Sequence, residues 1–390
     1  MPIEATAEIL RRGGRGVRGM VFAISAFFAA SCVTPAQNLR VPAETRAPRS
    51  DAPGHRSHRP VSVVVLAVDG VRWQEVFHGV DPALAASHGF AARERVGADT
   101  LMPNLHALAE DGGTLLGAPN SGTDVFATGP EFLSLPGYAE MLSGRRISGC
   151  RDNACGAIRT ATLVDEVASL PGTFPTNVAV ITSWPDIGRV AAQRPDRVAM
   201  STGRNGGPTR ELFRRDPVGR ALVDEAATVS PEPGVGDFRP DRHTARIAAR
   251  HLETAQPRFL FVSLGEPDEY AHRGDYRGYL RALRAADLAI GEIARALRER
   301  ALQGSRTVLF VTADHGRADD FRNHGREHPE SARVWLLAWG SEVSRKPFGA
   351  VGARRLSDLA PTLRSLFGLD VDRDPFAGRP LVGLLEGPSQ

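Results

Sequence analysis

The chain has 390 residues, of which 42% are hydrophobic and 24% are charged, and its formal net charge at pH 7 is +3. This composition is typical of a globular protein with a substantial core, and it excludes a predominantly disordered or fibrous chain. The first 31 residues contribute +2 of that charge, so the remainder carries about +1 and gives no reason to expect a nucleic-acid partner.

The N-terminus has the pattern of an export signal. An arginine-rich stretch ends at Arg18, and the 11-residue, mostly apolar run at 20–30 is too short to span a bilayer. Small residues then precede Cys32, as in a bacterial lipobox, although Ala29 stands where that pattern usually has Leu. We therefore predict a lipoprotein signal peptide at 1–31, a lipid on Cys32 and an exported protein of the bacterial periplasm or cell envelope. Ordinary cleaved secretion and a retained anchor are the alternatives.

A tether and then a folded domain follow the signal. Residues 32–60 are rich in Pro, Arg, Ser and Ala without apolar periodicity, which predicts a disordered tether. The β-branched run at 61–68 is typical of a strand buried on both faces in a parallel sheet. Runs of the same character lie at 177–183, 258–264, 307–312 and 334–339. Helical spacing occurs at 103–111, 162–169, 243–256 and 276–301.

The alternation of strands and helices predicts an α/β fold over residues 61–390, with a mostly parallel central sheet flanked by helices. The poorly periodic stretch at about 185–242, rich in Gly, Pro, Arg and Asp, predicts a loop-rich or small cap. In such sheets ligands bind beyond the carboxyl ends of the strands. Asp69, Asp268 and Asp314 each lie just past a predicted strand, so we expect the fold to bring them to one edge.

Acidic and imidazole side chains at that edge predict a metal centre. Asp314 and His315 stand side by side before a glycine, so both can turn onto one cation, and zinc accepts both ligand types. Asp268 and His272 are four residues apart, which places both groups on one side of a helical turn.

Either of two further histidines can complete the ligand set. His324 is followed by Gly325, which permits a tight loop, whereas His328 precedes a proline and is held extended. We favour His324 for that reason.

Ser134 is the candidate nucleophile. Pro136 suits the first turn of a helix, and Ser134 would lie near its N-terminus, where free N–H groups and the dipole favour a phosphate. A serine just before a helix is also a common N-cap, which is the alternative interpretation.

Two cysteines besides Cys32 lie close together in the chain. Cys150 and Cys155 are five positions apart, and in an exported protein they could close a small disulfide loop. Two free thiols in a loop are the alternative.

The motifs together resemble those of the alkaline phosphatase superfamily, most closely its nucleotide pyrophosphatase/phosphodiesterase branch. In chain order they are Asp69, Ser134-Leu-Pro, Asp268-x3-His272, Asp314-His315 and His324-Gly. The segment that begins at Leu356 also resembles a late helix common to these proteins. The resemblance covers about 61–385 and is weakest at 185–242.

The resemblance implies two zinc sites and the role of each residue. One set is Asp268, His272 and His324, and the other is Asp69, Asp314, His315 and the Ser134 oxygen. Ser134 would be the nucleophile and form a phosphoseryl intermediate. Asn153 loosely matches a family asparagine that contacts a phosphate oxygen.

We therefore expect an exported two-zinc hydrolase of small-molecule phosphate esters, either a phosphodiesterase or a phosphomonoesterase. One alternative is a sulfatase-like hydrolase, although S-L-P-G-Y at 134–138 lacks the C/S-x-P-x-R motif. Another is a catalytically silent, lipid-anchored metal-binding protein of the envelope. Arg145, Arg146 and Arg151 are candidates for binding the charge of a monoester, with a solvated loop as the alternative.

Overall fold

A computed structural model gives the structure of most of the chain. The described residues are 61–206, 212–346, 348, 353–372 and 374–386. The predicted signal peptide, its Cys32 and the predicted tether lie outside these residues. Among the described helices, none combines the length and the hydropathy needed to cross a membrane.

Two β-sheets organise the described residues. The strands are β1 Val61–Val68, β2 Thr114–Leu116, β3 Val125–Phe126, β4 Val178–Thr182, β5 Ala199–Thr202, β6 Phe259–Leu264, β7 Arg306–Thr312, β8 Arg333–Val334, β9 Leu336–Trp339 and β10 Arg354–Arg355. The larger sheet has the order β2-β9-β7-β1-β6-β4-β5, and the smaller has the order β10-β3-β8. In the larger sheet β9 runs antiparallel to both of its neighbours, and all other pairs are parallel. The predicted α/β class with a mostly parallel sheet is confirmed.

Strand β1 occupies the middle of the larger sheet. All eight of its residues are buried, as its β-branched composition predicts. Val65 is in register with Phe261 of β6 on one side and with Phe310 of β7 on the other. The carboxyl ends of these three strands therefore lie side by side.

Helices cover the sheet. They are α1 Trp73–His78, α2 Pro82–Ser87, α3 Ala98–Leu101, α4 Pro103–Glu110, α5 Ser134–Ser143, α6 Leu163–Ala168, α7 Gly188–Ala191, α8 Pro217–Thr228, α9 Asp241–Ala255, α10 Glu266–His272, α11 Tyr276–Leu302 and α12 Leu359–Phe367. Short 3-10 helices lie at Ala92–Glu94, Pro175–Asn177, Pro185–Ile187, Pro195–Arg197, Pro329–Ala332 and Leu356–Asp358. The four helices predicted from spacing correspond to α4, α6, α9 and α11.

The apolar run at 334–339 contributes residues to a strand in each of the two sheets instead of forming one strand. Val334 ends β8 of the smaller sheet, whereas Leu336 begins β9 of the larger one. Trp335 between them is fully buried, and its Nε1 donates to the carbonyl of Val71 at 3.3 Å. Hydropathy alone does not show this change of partner.

The stretch at 185–242 contains more regular structure than its sequence predicts. It supplies β5, the edge strand of the larger sheet, and the 12-residue helix α8. The Asp216 carboxylate accepts a hydrogen bond from the backbone N–H of Val218, which caps α8. The same carboxylate forms a two-point ion pair with Arg250 of α9, at 2.7 and 2.9 Å. These contacts attach α8 to the helical layer.

Candidate metal centre

The three predicted aspartates lie at the carboxyl ends of adjacent strands. Asp69 directly follows β1, and its N–H donates to the carbonyl of Leu264 at the end of β6 at 2.9 Å. Asp268 lies in the first turn of α10, which follows β6, and Asp314 lies two residues after β7. Parallel neighbouring strands thus bring three carboxylates to one edge.

Four buried residues, here named the inner cluster, converge at this edge: Asp69, Ser134, Asp314 and His315. The Ser134 Oγ lies 3.4 Å from Asp69 Oδ1 and 3.2 Å from His315 Nε2. The same Nε2 lies 3.4 Å from Asp69 Oδ1 and 3.4 Å from Asp314 Oδ2. All these donor atoms therefore face one small volume.

Three further residues, here named the outer cluster, lie beside it: Asp268, His272 and His324. The Nε2 atom of His272 is 3.0 Å from Asp268 Oδ2 and 3.1 Å from the Nε2 atom of His324. The ring of His324 stacks on that of His315, with centroids 3.9 Å apart, which joins the two clusters. His328 instead lies 3.8 Å from Glu330 and contacts neither cluster.

The imidazoles present their Nε2 atoms to the clusters. In His324 the Nδ1 atom lies 3.0 Å from the carbonyl oxygen of Phe132, and in His315 the Nδ1 atom lies 2.8 Å from that of Gly316. An Nδ1–H group that donates to a carbonyl leaves the Nε2 lone pair free for a cation. This is the usual arrangement of a metal-ligating histidine.

Burial and charge perturb the acids of the two clusters in opposite directions. The pKa of Asp314 is raised well above its ordinary value by burial and then by the charge of Asp69. Burial also opposes ionisation of Asp268, but Arg317 and the neighbouring histidines outweigh it and hold the pKa of Asp268 well below its usual range. Burial would lower the pKa of His315, yet the Asp314 and Asp69 carboxylates raise it to about 9.

The donor set fits a divalent transition metal. The ligand atoms of Asp69, Asp314 and His315 lie within 4.8 Å of one another, and so do those of Asp268, His315 and His324. Within the described residues, the buried Oδ2 atom of Asp314 accepts no hydrogen bond. Buried carboxylates need a counter-charge, and carboxylates combined with imidazoles are ligands of zinc and its neighbours.

Tyr138 is a site residue that sequence reasoning missed. Its hydroxyl donates to Asp69 Oδ2 at 3.0 Å and accepts from the Ser263 hydroxyl of β6 at 2.8 Å. The tyrosine is fully buried one helical turn after Ser134, so it fixes Asp69 relative to the helix that carries the serine. The four-residue spacing from Ser134 was the available signal.

A buried arginine supports the outer cluster. The Arg317 guanidinium contacts Asp268 Oδ1 and also donates to the carbonyls of Phe321 at 2.7 Å and Arg322 at 2.6 Å. Gly70 lies against this pair with a φ of 61°, and a Cβ there would come within 2.3 Å of Asp268 Oδ1. Only glycine fits this position.

Asp241 fixes the start of α10, the helix that carries Asp268 and His272. Its carboxylate accepts hydrogen bonds from the backbone N–H groups of Gly265 at 2.8 Å and Glu266 at 2.9 Å. The Ser183 hydroxyl donates to it as well, at 2.6 Å. These bonds satisfy N–H groups that a helix start leaves free.

The start of α5 differs from the expectation in detail. Ser134 is the first helical residue and Leu133 is the N-cap, so the serine does not act as the cap. The N–H of Leu135 donates to Asn153 Oδ1 at 3.0 Å, and Pro136 has no N–H, so this turn offers few free donors to a phosphate. The role of Asn153 in phosphate binding stays a prediction.

The segment that carries Asn153 is closed by a disulfide between Cys150 and Cys155. It therefore approaches Ser134 as a short covalent loop, with the Asn153 carboxamide against the start of α5.

Comparison with known proteins relates part of this α/β chain to metalloenzymes. The family model of the Metalloenzyme superfamily matches residues 223–371. That segment contains Asp268, His272, Asp314, His315 and His324.

Curated relatives resemble part of the chain. A 2,3-bisphosphoglycerate-independent phosphoglycerate mutase from Haloarcula marismortui is 26% identical over 237 residues, which cover 57% of this chain and 42% of the mutase. The mutase of the same name from Escherichia coli is 27% identical over 180 residues, 45% of this chain and 32% of the mutase. The chain thus spans less than half of the length of these relatives.

Solved structures share the fold. A protein in the alkaline phosphatase superfamily from Vibrio parahaemolyticus has a TM-score of 0.50 at 15% identity, covering 83% of this chain and 70% of that protein. A 2-O GAG sulfatase has a TM-score of 0.52 at 15% identity, covering 85% of this chain and 76% of the sulfatase. The chain has the fold of the alkaline phosphatase superfamily, and the predicted resemblance is confirmed at that level. The phosphodiesterase branch is not singled out.

Proposed function

We propose that this chain is a metal-dependent phosphate-ester hydrolase in which Ser134 is the nucleophile. The observation that carries the proposal is the position of the Ser134 hydroxyl. It lies at the first residue of α5 and within 3.4 Å of both Asp69 Oδ1 and His315 Nε2, which belong to a candidate metal site. A buried hydroxyl among ligands of a cation is the arrangement expected of an activated nucleophile.

We further propose two zinc ions, held by the residue sets that the family resemblance implies. The inner cluster would hold one ion, and the outer cluster would hold the other. Zinc bound there would lower the pKa of a hydroxyl and would stabilise negative charge on phosphate oxygens. The orientation of His315 and His324, whose Nδ1 atoms face carbonyl oxygens, and the unsatisfied Asp314 Oδ2 support these assignments.

The residues of the chain define the reaction as follows. Ser134 Oγ attacks phosphorus in line, so a bond forms between Oγ and phosphorus while the bond to the leaving oxygen breaks. The serine proton is directed toward Asp69 Oδ1, which accepts from the hydroxyl, and Tyr138 holds that carboxylate in place. Water then attacks phosphorus in the phosphoserine, and the bond between Oγ and phosphorus breaks. The product is phosphate from a monoester or the remaining monoester from a diester, and a proton from the water restores the Ser134 hydroxyl.

Three alternatives to this function are a mutase, a sulfatase and a silent binding protein. The curated relatives are named mutases, which favours phosphoryl chemistry but leaves open transfer to an acceptor other than water. A structural neighbour is named a sulfatase, but the S-L-P-G-Y segment at 134–138 lacks the C/S-x-P-x-R motif. A silent binding protein does not account for a hydroxyl buried beside the metal ligands.

Purified protein assayed on bis-p-nitrophenyl phosphate, p-nitrophenyl phosphate and p-nitrophenyl sulfate, with and without chelator, separates a phosphate-ester hydrolase from a sulfatase and from a silent binding protein. We expect chelator-sensitive release from a phosphate ester and loss of release in Ser134→Ala. Ser143→Ala is the matched control, because Ser143 lies at the far end of α5 and its hydroxyl donates to the carbonyl of Arg145. Full turnover in Ser134→Ala, or the absence of bound transition metal on elemental analysis, would contradict the proposal.

We also propose that the protein is exported and anchored to the envelope by a lipid on Cys32. The apolar run before Cys32 supports this location, and the disulfide between Cys150 and Cys155 suits an oxidising compartment. Incorporation of labelled palmitate into the wild type but not into Cys32→Ser tests the anchor.

A further inference from the structure

Two arginines share one buried carboxylate beside the metal centre. Glu131 has a side chain only 3% exposed, and its Oε2 accepts from the Nε of Arg146 at 3.0 Å. Its Oε1 accepts from Arg146 Nη2 and, at 3.2 Å, from Arg326 Nη2. Hydrogen bonding to Arg146 lowers the pKa of Glu131, so the group is one carboxylate between two guanidinium ions with a net charge of +1.

This group connects segments that carry site residues. Glu131 is three residues before Ser134, and Arg326 is two residues after His324. The two segments also touch directly, since His324 Nδ1 lies 3.0 Å from the carbonyl oxygen of Phe132. Arg146 comes from the segment that ends in the disulfide loop with Asn153.

A small hollow lies beside Glu131 and Arg146. Its cavity volume is about 10 Å³, room for about one water molecule, and its lining includes Glu131, Arg146, Pro136-Gly137 of α5 and Asp314. One wall is therefore a member of the inner cluster, and another is a guanidinium. Arg146 and Arg326 are 37% and 60% exposed, so both can meet a ligand from solvent.

The other two arginines that the sequence singled out are placed differently. Arg145 forms ion pairs with Asp372 and Asp374, so its charge is neutralised away from the site. Arg151 is exposed, and its Nε donates to the carbonyl of Ser148. Among the described contacts of Ser134 Oγ, none involves Arg146 or Arg326.

We infer that Arg146 and Arg326 bind a second anionic group of the substrate, remote from the phosphate that Ser134 attacks. The natural substrate would then be a phosphate ester whose organic part carries a carboxylate or another anion. Paired guanidinium groups suit this task because they present several N–H donors in a fixed fork. Glu131 is a positioning residue that holds the fork in place. The inference rests on the proposed function.

Two p-nitrophenyl diesters test the inference, one with a propyl group and one with a carboxymethyl group as the second alcohol. Both release the same leaving group and differ in a remote charge. We expect the wild type to have a higher kcat/KM for the carboxymethyl diester than for the propyl diester. In Arg326→Gln this ratio should fall about 10-fold, because the KM for the carboxymethyl diester rises. Arg146→Gln should act in the same direction. Arg151→Gln is the matched control and should keep the preference.

Binding of two phosphonates separates failure of this inference from failure of the proposed function. By calorimetry, the wild type should bind phosphonoacetate more tightly than ethylphosphonate, and Arg326→Gln should narrow the difference even if no ester is hydrolysed. An unchanged preference in both arginine variants, with unchanged thermal unfolding, would overturn the inference. An equal loss on both diesters would also overturn it, because the arginines would then act on the reacting phosphate.

Discussion

The inner and outer clusters lie side by side but are built in different ways. Two of the inner residues, Asp69 and Asp314, follow central strands, and all four inner residues are buried. The outer cluster stands on the short helix α10 and on the loop of His324, and the side chain of His272 is 47% exposed. The sheet therefore fixes one half of the site, whereas shorter and more accessible segments carry the other.

The two halves also differ in how their negative charge is balanced. In the outer cluster Arg317 supplies a permanent positive charge to Asp268 and keeps it ionised. In the inner cluster Asp69 and Asp314 share His315, and Asp314 Oδ2 has no hydrogen-bond donor among the described residues. A bound cation should consequently matter more to the inner half than to the outer half.

The largest expected effect follows from Asp314→Asn. We expect metal content and turnover to fall more than about 100-fold. Substituting a residue that only supports a metal ligand lowers metal affinity or activity by about 10–100-fold, and Asp314 is a proposed ligand. In chelator the variant should unfold at the same or a higher temperature than the wild type, because a neutral group replaces a buried carboxylate whose Oδ2 atom accepts no hydrogen bond among the described residues. Elemental analysis and thermal unfolding in chelator measure the two effects.

Asp287→Asn is the matched control for this substitution. Asp287 is equally buried, but it accepts hydrogen bonds from the N–H groups of Asn104 at 3.0 Å and Leu105 at 2.8 Å at the start of α4. We expect this variant to lose about 1–3 kcal/mol of stability while retaining its metal. If Asp314→Asn lowers the stability of the chelated protein as Asp287→Asn does, the Asp314 carboxylate does not destabilise the metal-free protein. The proposed difference in charge balance between the inner and outer clusters would then be wrong.

A smaller and reversible effect is expected in the outer half. His272→Gln should weaken metal binding by more than about 10-fold, because it removes a proposed ligand and not a residue that only supports one, and added metal should restore turnover. The half-exposed position of His272 means that folding should be unaffected. Turnover titrated against zinc measures the shift. His328→Gln, outside both clusters, is the control, and its turnover should depend on zinc concentration as in the wild type. The prediction would be contradicted if no zinc concentration restored turnover in His272→Gln.

The same difference explains what could be predicted from the sequence. Asp69 and Asp314 were placed correctly because a buried parallel strand has a distinct composition and its end defines an edge of the sheet. Tyr138, Asp241 and Arg317 were missed because their roles depend on contacts between segments far apart in the chain. Local patterns do not encode such contacts.

The divided run at 334–339 and the strand β5 were missed for a related reason. A short strand is assigned by its pairing partners, and β5 has only four residues next to β4. Trp335 separates two strands that belong to different sheets, although its side chain is as apolar as its neighbours. Which sheet each residue joins depends on the tertiary structure.

The smallest expected effect concerns Glu140, a buried acid on α5, the helix that begins at Ser134. Whereas Oδ2 of Asp314 accepts no hydrogen bond among the described residues, Oε1 of Glu140 accepts from the N–H groups of Thr128 at 3.0 Å and Ser357 at 3.1 Å. Burial nevertheless raises its pKa from 4.5 to about 7. The folded state thus holds a proton more tightly than the unfolded state, so this stabilisation is complete below pH 4.5 and is lost as the pH rises through 7.

The loss is on the order of 3 kcal/mol for a shift of this size. Thermal or denaturant unfolding of the chelated protein at pH 5 and pH 8 should show a smaller decline in Glu140→Gln than in the wild type. Because Asp314 contributes a decline of the same sign, only the difference between the two proteins reports on Glu140. Parallel curves would mean that the N–H groups of Thr128 and Ser357 compensate for the burial of the charge. In that case the contrast with Asp314, whose Oδ2 accepts no hydrogen bond among the described residues, would become sharper.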